Sequence, residues 1–146
     1  MTAEFKSAEE FREVIDRTFE LMAHHPQMGP KLREADTPQR WEFPDLDMVV
    51  NVAAADDPGE NLVWHWSDDV DREPAVKMSM SSAIANRYFQ GEENIAMAIA
   101  RRRIKATGDA KQALRLVPVT KPVFPLYKEM CERDYPHLVI GREKKK

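Results

Sequence analysis

Histidine is the residue type that most often carries acid–base or metal chemistry near neutral pH, and this sequence has four. They are His24, His25, His65 and His137. None has a second histidine at the i, i+4 spacing that places two imidazoles on one helical face, so no metal site is predicted. His65 lies on the polar side of a predicted strand, where Asp47 or Asp68 could orient it as a general base. No nucleophile stands at a matching spacing, and we prefer to interpret it as an ordinary exposed histidine.

The other reactive groups give no enzyme signature. Cys131 is the single cysteine, which excludes an internal disulfide and a cysteine zinc cluster, and its helical context predicts a buried, unreactive thiol. The sequence has no phosphate-binding, dinucleotide-binding, serine-hydrolase or HExxH motif. The acidic residues between Asp56 and Glu73 lack the spacing of a calcium loop. We therefore predict no catalytic residue, cofactor or metal, and keep a small hydrolase or isomerase using His65 as the enzyme alternative.

Basic residues cluster once, in the run from Arg101 to Lys105, and again in the three lysines that end at Lys146. The net charge of -3 and the isoelectric point of about 5.8 disfavour a nucleic-acid-binding protein. No aromatic residues interleave with the basic run to stack on bases. We expect no nucleic-acid partner, and at most a transient contact with anionic lipid head groups.

The elements that would position these residues follow from hydrophobic periodicity. Ser7 and Glu10 form a predicted capping box before a helix that Pro26 ends near His24. The pattern predicts four strands in a meander (40–43, 48–54, 62–66, 75–80), a fifth strand (102–107), and further helices at 31–35, 82–90, 95–101, 110–116 and 124–133. A turn is predicted at 56–59 and an acidic loop at 68–74. This order predicts an α+β fold with a five-stranded, antiparallel-rich sheet and helices packed on one face.

The length of 146 residues fits a single domain, which we place at 1–140, followed by a basic, mobile tail at 141–146. The longest apolar run, Ile95–Ala100, is far shorter than the roughly 20 residues of a membrane span. The first ten residues lack the apolar segment of a secretory signal. We expect a cytoplasmic protein that is a monomer or a weak dimer.

Apolar side chains should converge between the sheet and the helices. The cavity candidates are Trp64, Trp66, Met78, Met80, Ile84, Tyr88, Met97, Ile104, Leu114, Phe124 and Tyr127. Such a set can fill a core solidly or line an apolar ligand site, and periodicity does not distinguish the two.

The second half of the chain resembles the sterol carrier protein 2 family in an ordered set of short motifs. These are Met78-Ser79-Met80-Ser81 at a strand end, a helix closing at Gly91, Ala98 in a short helix, and the run Ile104–Asp109 around a Gly-Asp turn. The motifs cover about a third of the chain, and the order of elements covers nearly all of it. Met78, Met80, Met97 and Ile104 are the cavity candidates that fall within this resemblance.

The resemblance implies a tunnel between the sheet and the helices that carries sterols, fatty acyl chains or other lipids without catalysis. A hydrophobic small molecule or lipid is then the expected partner. The alternative is an accessory domain that presents apolar substrates to a partner enzyme. Two departures stand out: Arg102 occupies a position where many members have a glycine, and Trp64 and Trp66 make the third strand bulky.

Overall fold

The computed structural model describes residues 5–55, 59–67 and 73–140, which form helices and strands in the predicted order. The elements are α1 (Ala8–His24), α2 (Met28–Ala35), β1 (Gln39–Phe43), β2 (Met48–Ala54), β3 (Leu62–His65), β4 (Val76–Ser79), α3 (Ser82–Phe89), α4 (Ile95–Ala100), β5 (Lys105–Gly108), α5 (Ala110–Thr120) and α6 (Val123–Asp134), with a 3₁₀ turn at Pro136–Leu138. The predicted tail at 141–146 lies outside the described residues, as do most of the predicted turn at 56–59 and of the acidic loop at 68–74.

The five strands form one sheet in the order β3-β2-β1-β4-β5. Neighbouring strands pair antiparallel except β1 and β4, which pair parallel. The predicted α+β class and antiparallel-rich sheet are confirmed, but the predicted four-strand meander is wrong. After β3 at one edge, the chain crosses to the far side of β1 before it forms β4, and parallel pairing requires such a crossover.

One face of the sheet carries the buried side chains, as the alternation predicts. Trp41 in β1 stands opposite Val50 in β2 and Met78 in β4, and all three are buried. Their neighbours along the strands, such as Arg40 and Lys77, point to the other face and are half-buried or exposed. The buried helical side chains join the strand side chains in one core, so the helices cover the apolar face.

Helix α1 begins as its sequence predicts, but only half of the predicted capping box forms. The Ser7 hydroxyl accepts a hydrogen bond from the Glu10 backbone N–H at 3.0 Å. The Glu10 carboxylate accepts from the backbone N–H of Lys6 at 2.9 Å, one residue earlier than a capping box requires. It also lies 2.8 Å from His137, so it links the start of α1 to the C-terminal 3₁₀ turn.

Strand β5 and helix α5 differ most from their predicted bounds. β5 begins at Lys105 rather than at 102, because Arg102 takes a left-handed turn conformation with φ of 62°. The backbone N–H of Arg103 then donates to the Ala98 carbonyl at 2.8 Å, which closes α4. α5 continues past its predicted end at Leu116 to Thr120 and includes Pro118. A proline inside a helix removes one backbone hydrogen bond without always ending the helix.

Candidate ligand cavity

An apolar cavity lies between the covered face of the sheet and helices α1 to α5. Its lining residues are Phe19, Met22, Leu32, Gln39, Trp41, Val52, Leu62, Met78, Tyr88, Phe89, Ile95, Ala113, Leu116, Val117 and Thr120. The volume of the cavity is about 50 Å³. Since one water needs roughly 10–15 Å³, the cavity has room for a few water molecules but not for a lipid.

Four of the fifteen lining residues carry a polar group, and none of these is charged. The Tyr88 hydroxyl lies 2.7 Å from the Thr120 hydroxyl, which itself donates to the Val117 carbonyl at 3.0 Å. Thr120 has one proton to give, so Tyr88 is the donor of the shorter bond. Burial raises the pKa of Tyr88, although its hydrogen bond with Thr120 acts in the opposite direction. The phenol therefore stays neutral at physiological pH.

Gln39 and Trp41 supply the remaining polar groups of the lining. The carbonyl oxygen of the Gln39 side chain accepts a hydrogen bond from the Trp41 indole N–H at 3.1 Å. The Gln39 amide nitrogen has no acceptor among the described residues, which leaves two donor hydrogens for solvent or for a ligand oxygen. The cavity therefore offers an apolar wall and neutral hydrogen-bonding groups, and no fixed charge.

Of the sequence-predicted site residues, Met78 and Tyr88 line the cavity. Met80 and Ile104 are buried in the surrounding core, and Ile84 is partly buried against it. Phe124 is half-buried and makes an edge contact with the Tyr88 ring, with centroids 5.3 Å apart. None of these four side chains is among the lining residues.

Trp64 and Trp66 turn their polar edges toward α1. Both indole N–H groups donate to the same carboxylate oxygen of Asp16, at 3.0 Å for Trp64 and 2.7 Å for Trp66. The Trp64 ring also packs on Phe19, with centroids 5.3 Å apart. These hydrogen bonds link strand β3 and the residue that follows it to helix α1.

Tyr127 lies in a buried polar network on the other side of α3. Its hydroxyl donates to the Asn86 side-chain carbonyl at 2.6 Å, and the Asn86 amide donates to the Leu138 carbonyl at 2.9 Å. Gln90 donates to the same two acceptors at 2.9 and 2.7 Å. Burial raises the pKa of Tyr127 well above its ordinary value. This network holds the C-terminal segment against α3.

Met97 and Leu114, the last two predicted site residues, are the only large hydrophobic side chains classed as exposed in the described part of the chain, at 44% and 36%. Neither lines the cavity. The helices that carry them nevertheless contribute to it, through Ile95 in α4 and through Ala113 and its neighbours in α5.

Sequence reasoning missed thirteen of the fifteen lining residues, including all of those supplied by α1, α2 and β1. Phe19 and Met22 belong to the apolar stripe of α1 that is visible in the sequence, and Trp41 lies in the predicted first strand. A stripe predicts burial, but it does not predict where packed elements leave space between them.

The other candidates for chemistry do not form a catalytic pair in the described part of the chain, where His65 and Asp47 share no hydrogen bond or ion pair. His65 is exposed on the uncovered face of the sheet, opposite Asn51 on β2, and Asp68 lies outside the described residues. Cys131 is fully buried, and burial raises the pKa of its thiol to about 11. Across residues 5–55, 59–67 and 73–140, no group of three or more His, Cys, Asp or Glu side chains could hold a metal ion. No helix in these ranges is long and apolar enough to span a membrane.

Comparison with solved structures identifies the fold. The chain matches a structure described as "UbiJ-SCP2 Ubiquinone synthesis protein" with a TM-score of 0.60 and 8% identity, over 82% of this chain and 94% of that one. It matches sterol carrier protein 2 from Yarrowia lipolytica with a TM-score of 0.56 and 12% identity, over 84% and 98%. The sterol-carrier fold implied by the sequence resemblance is therefore confirmed. No protein-family model matches the sequence, and no curated protein matches it significantly.

The fold also matches part of a larger enzyme. The stereoselective inverting sec-alkylsulfatase Pisa1 from Pseudomonas sp. aligns over 72% of this chain with a TM-score of 0.59 and 16% identity. The chain spans only 16% of the length of that enzyme. A unit of this fold thus occurs both as a nearly whole chain and as a segment of a longer one.

Proposed function

We propose that this protein binds lipids without catalysis and holds their alkyl chains in the cavity between the sheet and helices α1 to α5. The observation that carries the proposal is the lining itself, which has no polar group at eleven of its fifteen positions and no charge at any of them. A charged ligand would leave its charge buried there without a partner. An alkyl chain, by contrast, gains about 0.8 kcal/mol for each buried methylene. The sterol-carrier fold of the chain is consistent with such a ligand.

Binding requires the cavity to expand, because its volume is only about 50 Å³. Met22 and Met78 are suited to this, since an unbranched thioether side chain changes rotamer at low cost. The Gln39 amide and the Tyr88–Thr120 pair would meet a hydroxyl or carbonyl group of the ligand. We expect fatty acyl chains and sterol-like molecules to bind in preference to charged metabolites.

A titration with a fluorescent fatty acid tests this proposal. Ala113 lines the cavity on α5 and is buried, so Ala113→Leu places three further carbon atoms in the space a ligand would occupy. Ala83→Leu makes the same change at an exposed position of α3 and serves as the control. We expect saturable binding by the wild type and the control, and at least tenfold weaker binding by Ala113→Leu. Equal affinity of all three proteins, or no binding by the wild type, would contradict the proposal.

A second candidate function is that of an accessory domain that presents an apolar ligand to an enzyme. The match to a segment of the Pisa1 sec-alkylsulfatase favours it, because that fold is there part of a longer enzyme chain. Affinity purification of the intact protein from its native cell distinguishes the two. Stoichiometric recovery of one enzyme supports the accessory role, and recovery of the protein with lipid alone supports a free carrier.

A further inference from the structure

The exposed side of α4 and α5 combines apolar and cationic side chains next to the cavity. Met97 on α4 and Leu114 on α5 are the two large hydrophobic side chains that stand out into solvent in the described part of the chain. The two helices pack against each other, and both contribute cavity residues on their inner sides. A ligand that passes between these helices would cross this surface.

The sequence of α5 divides the helix into two faces. Ala113, Leu116, Val117 and Thr120 line the cavity at helical spacing. On the other side of the helix, Lys111, Leu114, Arg115 and Pro118 are all exposed. Helix α5 contains no acidic residue, and Lys111 and Arg115 stand four positions apart, where like charges destabilise a helix. An external anionic surface would remove that repulsion.

The end of α4 adds further cations. Arg101 and Arg102 are exposed, and no carboxylate of the described residues lies within ion-pair distance of either. Arg103, by contrast, pairs with Glu93. Arg102 has a φ of 62°, in the left-handed region that glycine adopts freely and that costs other residues free energy. The chain therefore holds an arginine at a strained, exposed position where the backbone favours glycine.

We propose that this surface, defined by Met97, Arg101, Arg102, Lys111, Leu114 and Arg115, docks on an anionic lipid bilayer. The inference rests on the proposed lipid binding and assigns the place where lipid enters and leaves. The cations meet lipid phosphates, and Met97 and Leu114 insert among the acyl chains just below the head groups. The net charge of -3 means that an anionic bilayer does not attract the molecule as a whole, so attraction must come from a local cluster of cations such as this one.

The uncovered face of the sheet is the competing surface, and it is less suited to a bilayer. Lys77 and Lys105 are exposed there, but Glu42 lies on the same face, opposite Ser79 in β4. No large hydrophobic side chain on that face is classed as exposed within the described residues. The helices and the cavity also lie on the opposite side of the sheet, so docking there would keep the ligand away from the bilayer.

Vesicle flotation of the full chain tests the assignment. The probes are phosphatidylcholine vesicles with and without phosphatidylserine, at low and high salt. We expect binding only to the phosphatidylserine vesicles, and release by salt. Lys111→Gln with Arg115→Gln should weaken binding about 30-fold, because each cation contributes about fivefold. Arg102→Gly should weaken it about fivefold without loss of folding stability, while Lys77→Gln with Lys105→Gln should leave it unchanged.

Several results would overturn the inference. The first is equal binding of the wild type to vesicles with and without phosphatidylserine. The second is an equal loss of vesicle binding in the α5 double variant and in the Lys77→Gln, Lys105→Gln control. The third is retention of the protein on polyglutamate without binding to vesicles, which would assign the surface to an acidic protein. Uptake of the fluorescent fatty acid from vesicle-free solution is measured in parallel. Uptake without vesicle binding refutes docking alone. Absence of uptake by the wild type refutes the proposed function, and the docking inference fails with it.

Discussion

Removal of the Asp16 carboxylate should loosen the attachment of strand β3 to helix α1. One oxygen of Asp16 accepts hydrogen bonds from both Trp64 and Trp66, at 3.0 and 2.7 Å. A hydrogen bond to a charged group contributes about 1.5–3 kcal/mol when buried. The Asp16 side chain is 39% exposed, so we reduce this to about 1 kcal/mol for each bond. Alanine regains about 0.5 kcal/mol through its higher helix propensity.

Asp16→Ala should therefore lower the free energy of unfolding by about 1.5 kcal/mol, measured by urea denaturation monitored through tryptophan fluorescence. For a chain of this length that corresponds to about 4–6 °C in Tm. Glu20→Ala removes another carboxylate from α1 that contacts only the exposed His24, and should cost less than about 0.5 kcal/mol. Equal effects of the two substitutions would refute the reasoning that the tryptophans depend on Asp16.

Three further predictions concern the cavity, the acid stability and the thiol. Ala113→Leu should raise the free energy of unfolding by about 0.5–2 kcal/mol by filling the cavity, measured by thermal unfolding; a loss of stability would show that the space is too narrow. Burial raises the pKa of Glu93, but the hydrogen bonds from Arg103 and Arg87 outweigh it and hold the pKa below its ordinary value of 4.5. The stability that Glu93 contributes is thus present above pH 4.5 and lost as pH falls below it. The free energy of unfolding, measured by urea denaturation, should therefore fall less between pH 7 and pH 3.5 in Glu93→Gln than in the wild type. Iodoacetamide should alkylate Cys131 slowly at pH 8 until urea unfolds the chain, since burial raises its pKa to about 11; rapid labelling of the native protein would contradict this.

The faces of the strands were predictable, whereas their order in the sheet was not. Alternation fixes which side chains point inward, and Val76 and Met78 are buried as it requires. The same alternation suits a meander and a crossover equally, so it gave no sign that β4 pairs parallel with β1. Ten residues, 66–75, separate β3 from β4, which is longer than a common hairpin loop of roughly 2–5 residues and shorter than a typical crossover of roughly a dozen, so the length did not decide between them.

The bounds of α5 decided which of its residues were assigned to the cavity. Pro118 suggested an end at Leu116, and a helix that short shows no clear stripe. Continued to Thr120, the helix shows Ala113, Leu116, Val117 and Thr120 on one side, and Leu114 falls on the other. The contact of Trp64 and Trp66 with Asp16 could have been predicted from the sequence. An indole N–H that packs against a core needs an acceptor, and Asp16 lies beside the apolar stripe of α1.

Native mass spectrometry of freshly purified protein, followed by solvent extraction, tests the lipid-binding proposal most directly. The proposal predicts a second species one lipid mass above the chain, an extract that contains that lipid, and a strong reduction of both in Ala113→Leu but not in Ala83→Leu. A single ligand-free mass that does not change when fatty acid or sterol is added would contradict it. The cavity of about 50 Å³ would then be a packing defect rather than a binding site.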